Sequence, residues 1–112
     1  MTDTGRVVVV AAGFALWTGG RCVAASRWAD VRRLRAYVRG DSADSPLLLG
    51  VELLDGTIME LHEAAPGFDA FLNRASATLP GLMPFAAWHA PLRAGTSSTD
   101  GVVVFERVAR RY

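Results

Sequence analysis

The side chains able to do acid–base or nucleophilic chemistry are few: two histidines, His62 and His89, one cysteine, Cys22, and eleven carboxylates. His62-Glu63 begins like the His-Glu-x-x-His of zinc proteases, which needs two imidazoles one helical turn apart on one metal. The run continues Ala64-Ala65-Pro66, so the second imidazole is missing and proline breaks the helix. A two-histidine metal site would need His62 and His89 to converge with a carboxylate. His89, beside Trp88, reads first as a satisfied structural residue. There is no Gly-x-Ser-x-Gly elbow and no phosphate-binding glycine pattern, and Gly19-Gly20 reads as a turn. Asp41 and Asp44 sit in a polar loop with nothing to raise a carboxyl pKa. One cysteine excludes an internal disulfide and cysteine metal clusters. Within Cys22-Val23-Ala24-Ala25 it reads as a small buried hydrophobe in a reducing cytoplasm. The expectation is no enzyme, no metal and no cofactor, with a small hydrolase using His62 or His89 ranked last.

All twelve basic residues are arginine, with no lysine and no glutamine. That bias suits a GC-rich bacterial genome, so arginine content alone does not signal phosphate recognition. The stretch Arg32-Arg33-Leu34-Arg35-Ala36-Tyr37-Val38-Arg39 has two readings. In one, Arg32, Arg33, Arg35 and Arg39 bind an anionic ligand, with Tyr37 as a stacking platform. In the other, the segment is a strand paired with Leu47–Leu54, and its cations face Glu52 and neighbouring acids. Such cross-strand pairs are worth about 0.2–1 kcal/mol each and help to fix strand order. The second reading is preferred, so no nucleic-acid partner is expected and a membrane partner is disfavoured.

Charge is segregated along the chain. Residues 1–40 hold seven Arg and two Asp, a net of +5. Residues 41–73 hold four Asp, three Glu and no Arg, a net of −7. Residues 74–112 hold five Arg and two acids, a net of +3.

The elements that would position these residues follow from patterning. At 112 residues the chain suits a single domain, 1–112, with a core of its own. Val7–Val10 is a β-branched run of the kind buried on both faces, and Phe14–Trp17 resumes as a second short strand after Gly13. The apolar run to Trp17 superficially resembles a secretion leader, but Asp3 dilutes its basic start and Arg21 intrudes before the small residues Ala24-Ala25-Ser26. Buried strand is the preferred reading, and an exported form is the other. Thr18-Gly19-Gly20-Arg21 signals a hairpin, with Arg21–Ser26 returning. Trp28–Gly40 fits a helix with Ser26 as cap, or a strand alternating Arg33, Arg35, Tyr37 and Arg39 against Leu34, Ala36 and Val38. Leu47–Leu54, Asp55-Gly56 and Thr57–His62 form a hairpin, since Asp-Gly between apolar runs suits a tight turn. Phe68, Phe71, Leu72, Ala75 and Leu79 define an amphipathic helix ended by Pro80-Gly81. Leu82–Asp100 reads as a long loop with some short structure, and Val102–Val108 as a last strand. Trp17, Trp28 and Trp88 are expected in the core, and the second reading of Trp88 is an exposed anchor at an interface.

From Trp28 onward the order of landmarks resembles small bacterial proteins with a pleckstrin-homology-like fold. The matching residues are Trp28-x-Asp30-Val31-x-x-Leu34-x-Ala36, the turn at Asp41 and the hairpin with Asp55-Gly56. They continue through Glu63, Pro66-Gly67-Phe68, Phe71-Leu72, Leu79-Pro80-Gly81, Trp88 and Phe105-Glu106-Arg107. The resemblance implies a strand after Trp28, which resolves the ambiguity there. The main helix precedes the last strand, a departure that argues against a closed barrel and a lipid-head-group site.

The expected architecture is α+β: a bent antiparallel sheet or partial barrel of five to seven strands, one amphipathic helix near 67–79 and a final strand near 102–108. The expected function is a non-enzymatic protein-binding module, in its sharpest form a bacterial immunity-type or adaptor protein taking one partner. Asp41, Asp44 and Asp55 would offer an acidic face to a basic partner protein, with Trp88 as anchor. The alternative is a pleckstrin-homology-like lipid or small-ligand domain using Arg32, Arg33, Arg35 and Arg39. A homo-oligomer through an edge strand such as Val102–Val108 is a further expectation.

Overall fold

The β-branched and aromatic runs near the N-terminus form strands β1 (Arg6–Val9), β2 (Gly13–Thr18) and β3 (Arg21–Arg27). In the computed structural model, which describes residues 5–40, 45–94 and 101–107, these make a three-stranded antiparallel meander in the order β1-β2-β3. A short 3-10 turn, Trp28–Asp30, then carries the chain into a second sheet. Its strands are β4 (Val31–Val38), β5 (Leu47–Leu53), β6 (Ile58–His62) and β7 (Val102–Glu106), in the order β6-β5-β4-β7. All pairings are antiparallel. The Trp28–Gly40 segment is thus a strand once past the 3-10 turn, and Asp55-Gly56 closes the β5–β6 hairpin with Gly56 at a positive φ of 91°.

Helix α1 (Phe68–Thr78) buries Phe68, Phe71 and Ala75, the stripe that its apolar spacing defines. Phe71 reaches between the sheets to meet Phe14 at 5.0 Å, edge to face, and Trp28 at 5.2 Å. Phe14 and Trp28 lie 4.8 Å apart, so one ring comes from each sheet region and one from the helix. Trp28 also donates its indole N–H to the Val10 carbonyl at 3.4 Å. Around this trio the core is continuous, running from Val7 through Leu34, Leu49 and Leu61 to Trp88 and Phe105.

Two features differ from expectation. The strands divide into two sheets, because the chain changes direction at Trp28–Asp30 and β3 pairs only with β2 among the described residues. Leu82–Asp100 is not all loop, since α2 (Phe85–Arg93) occupies its first half. Phe85, Trp88 and Leu92 stand at i, i+3 and i+7, and Trp88 and Leu92 are buried. Pro91 and two flanking alanines obscure that stripe in the sequence. Helix α2 is secured by Glu63, which accepts from Arg93 and pairs with His89 Nε2 at 3.1 Å. No helix among the described residues is long and apolar enough to cross a membrane.

Candidate functional site

Strand β4 places Val31, Leu34 and Ala36 inward at 0% exposure, so Arg33, Arg35 and Tyr37 face outward. The ladder aligns three outward rows: Glu106–Arg33–Glu52–Ile58, Val103–Arg35–Gly50–Glu60, and Tyr37–Leu48–His62. The opposite-charge pairing expected across β4 and β5 is present. Arg33 pairs with Glu52 at 3.4 Å and with Glu106 at 2.6 Å, while Arg32 reaches Glu52 at 3.7 Å. Arg39 pairs with Glu60, which also accepts the Tyr37 hydroxyl. Arg35 alone of the four has no carboxylate or other hydrogen-bond partner among the described residues.

Next to Arg35 the sheet has a hollow of about 360 Å³, lined by Arg35, Tyr37, Gly50, Ile58 and Glu60 among others. Gly50 makes it: a Cβ there would come within 3.2 Å of Tyr37 Cε1, so the missing side chain lets the phenol lean over the sheet. Gly50, Ile58 and Glu60 belong to no sequence motif, and only the register brings them beside Arg35.

The Tyr37–Glu60–Arg39 cluster has a titration signature. Burial, then the bond to Glu60 and its charge, push the Tyr37 phenol from 10.0 up to about 12. The Tyr37 hydroxyl and then Arg39 hold the Glu60 carboxyl below its usual range. The phenol therefore adds stability that is whole below pH 10 and is lost as pH rises through about 12. The Glu60 contribution is whole above the ordinary value of 4.5 and is lost as pH falls through its depressed folded value. Phenolate absorbance against pH, wild type minus Tyr37→Phe, should isolate one phenol with a midpoint near 12. A difference curve centred at the free-tyrosine value would refute the Tyr37–Glu60 bond.

The other proposed anchors are placed differently. Trp88 is 2% exposed, sealed against Phe85 at 5.0 Å, so its ring sits in the core and is not offered to a partner. Asp55 is exposed, and its carboxylate accepts the Thr57 backbone N–H at 2.8 Å, which lowers its pKa. Asp41 and Asp44 lie outside the described residues. Glu52, Glu60 and Glu63 are each engaged by arginine, so three of the seven acids in the block are neutralised across the fold. The histidines hold structure: His62 Nδ1 accepts the Ala64 N–H at 3.0 Å, and His89 belongs to the Glu63 clamp.

The outer face of the three-stranded sheet is the second surface. Val7, Phe14 and Leu16 turn to the core, which leaves Val8, Ala15, Trp17 and Ala25 on the opposite face. An open trough of about 520 Å³ lies over Val8, Val10, Ala15 and Ala25. Val10 and Val23 are 57% and 58% exposed, and Cys22, read from sequence as buried, is exposed on edge strand β3. On the far side of β3, Ala25 and Ser26 face Leu53, Leu54 and Asp55 across a groove of about 300 Å³. By contrast, the edge of β7 is partly capped, because Met83 donates its N–H to the Val104 carbonyl at 2.8 Å. No protein-family model, curated protein or solved structure matches this chain.

Proposed function

We propose that the chain is a protein-binding module, adaptor or immunity-type in character, that receives an extended segment of its partner along β3. One observation carries this reading: β1 and β2 are apolar on both faces, yet only one face is covered by the core. Antiparallel sheets with one wet face ordinarily alternate apolar with polar residues, and contiguous exposed apolar surface marks an interaction site. The open edge beside that face supports a strand-addition mode, in which backbone hydrogen bonds give affinity and alternate side chains give specificity. Within β3, Cys22-Val23-Ala24-Ala25 carries none of the charges or prolines that blunt natural edges.

Charge argues for a foreign segment over a second copy. The one register in which two copies of β3 overlap fully is centred on Ala24, and it sets Arg21 against Arg27 at both ends. Like charges directly opposed destabilise a ladder. Arg21, at the hairpin end of β3, instead favours an acidic residue at the end of an otherwise apolar partner strand. The partner thus carries acid where the sequence suggested base, because Glu52, Glu60 and Glu63 are already paired with arginine. For the fold, the pleckstrin-homology-like reading is retained as a proposal resting on two antiparallel sheets around α1. A cytoplasmic setting is likewise proposed, on the single exposed thiol. The four-arginine lipid reading is weaker, since Arg32, Arg33 and Arg39 are spent on carboxylates.

A photo-crosslinking residue at position 23, compared with one at position 70 on the exposed face of α1, tests the mode in cells. The expected result is one partner captured at 23 and not at 70, through a segment bearing acidic residues, and lost in Ala25→Lys. Capture of the chain's own β3, or equal capture at 23 and 70, would overturn it.

A further inference from the structure

From the hollow on the other sheet we infer a second binding site, for a small organic monocarboxylate, with Arg35 as its counter-ion. The site stands apart from β3 and does not depend on the strand-docking reading. Four guanidiniums, Arg32, Arg33, Arg35 and Arg39, share this face with three carboxylates, Glu52, Glu60 and Glu106. Each carboxylate is held by at least one arginine, and Glu60 also takes the Tyr37 hydroxyl. Among the described residues the face is left with one uncompensated positive charge, at Arg35, bordering a hollow.

The chemistry of that vacancy selects its ligand. Arg35 presents a planar fork of N–H donors that matches a carboxylate in bidentate fashion. One negative charge neutralises the face, whereas a dianion such as phosphate would bring a second charge close to Glu52 and Glu60. The remaining lining suits an apolar group: Ile58 is 64% exposed, and Val38 and the Tyr37 ring, which lies over Gly50, stand beside it. A volume of about 360 Å³ falls at the small end of ligand sites and admits one ring with its carboxylate. Because the wall is built on three adjacent strands, the site is preformed.

Benzoate is a suitable probe, with benzamide as its neutral counterpart and inorganic phosphate as the competing anion. Amide correlation spectra of the full chain would be followed during each titration. Benzoate should give saturable shifts centred on Gly50, Arg35 and Ile58. Benzamide, or benzoate with Arg35→Met, should bind about tenfold more weakly or worse, as expected for loss of a charge-assisted hydrogen bond. Gly50→Ala, which crowds Tyr37, should weaken benzoate while leaving the rest of the spectrum in place. Since Arg35 is exposed and unpaired among the described residues, Arg35→Met should keep the folded spectrum. Benzoate shifts that persist undiminished in Arg35→Met would overturn the site. So would phosphate that matches or exceeds benzoate at the same residues.

Discussion

Replacing Phe71 with alanine should destabilise the fold by about 3–5 kcal/mol, the range for deleting a buried aromatic ring. Phe71 has 0% exposure and is the ring through which α1 touches both Phe14 on β2 and Trp28 at the start of the second sheet. Its loss leaves a cavity bounded by two large aromatic rings, one on β2 and one on the 3-10 turn that leads into the second sheet, which collapse fills poorly. The edge-to-face contact with Phe14, with planes at 89°, is lost as well. Such aromatic pairs add about 0.5–1.5 kcal/mol beyond area burial. Since small domains have about 5–15 kcal/mol in total, the variant should lie near the edge of folding. Urea denaturation followed by tryptophan fluorescence measures the loss directly. A cost below about 1 kcal/mol would mean that the two sheets do not rely on this ring.

The elements that could be read from sequence are those whose signal is local. Asp55-Gly56 between apolar runs specifies its own turn, and Phe68, Phe71 and Ala75 specify one helix face. Helix α2 was equally local, since Phe85, Trp88 and Leu92 are spaced as a helical stripe. Its brevity and Pro91 hid that spacing. What could not be read depends on register. The acidic block from Asp41 to Asn73 looks like a charged face when counted along the chain. Glu52 lies opposite Arg33 and Glu60 beside Arg39 only once β4, β5 and β6 are aligned. The same alignment turns Gly50 from an unremarkable residue into the floor of a hollow. Trp17 and Trp28 illustrate the limit from another side. Trp17 has the more apolar neighbours, Leu16 and Thr18 against Arg27 and Ala29, yet Trp28 is 4% exposed in the core while Trp17 lies on the uncovered face beside Arg6. Strand parity turns Trp17 away from the core, one residue after inward Leu16, whereas the 3-10 turn at Trp28–Asp30 carries Trp28 into it.

The uncovered face depends on how β1 is held against α1, which makes Gly67 the second position of large expected effect. Gly67 precedes α1 with φ 91°, and a Cβ there would lie 1.9 Å from the Val7 carbonyl oxygen. Alanine therefore incurs two costs. Left-handed backbone costs a non-glycine residue about 1–2 kcal/mol. The clash is with backbone, so β1 must shift, straining the Val7 N–H bond to the Pro66 carbonyl, now 2.8 Å, worth about 0.5–1.5 kcal/mol. Together Gly67→Ala should cost about 1.5–3.5 kcal/mol in denaturant unfolding. Gly56→Ala separates the two costs, because Gly56 has the same φ of 91° but nothing within 4 Å of a new Cβ. It should show the conformational penalty alone, and the excess in Gly67→Ala measures the grip of α1 on β1. If the two variants cost the same, β1 yields freely at Val7. The apolar face carried by Val8 and Val10 would then be a yielding surface rather than the rigid platform that strand docking requires.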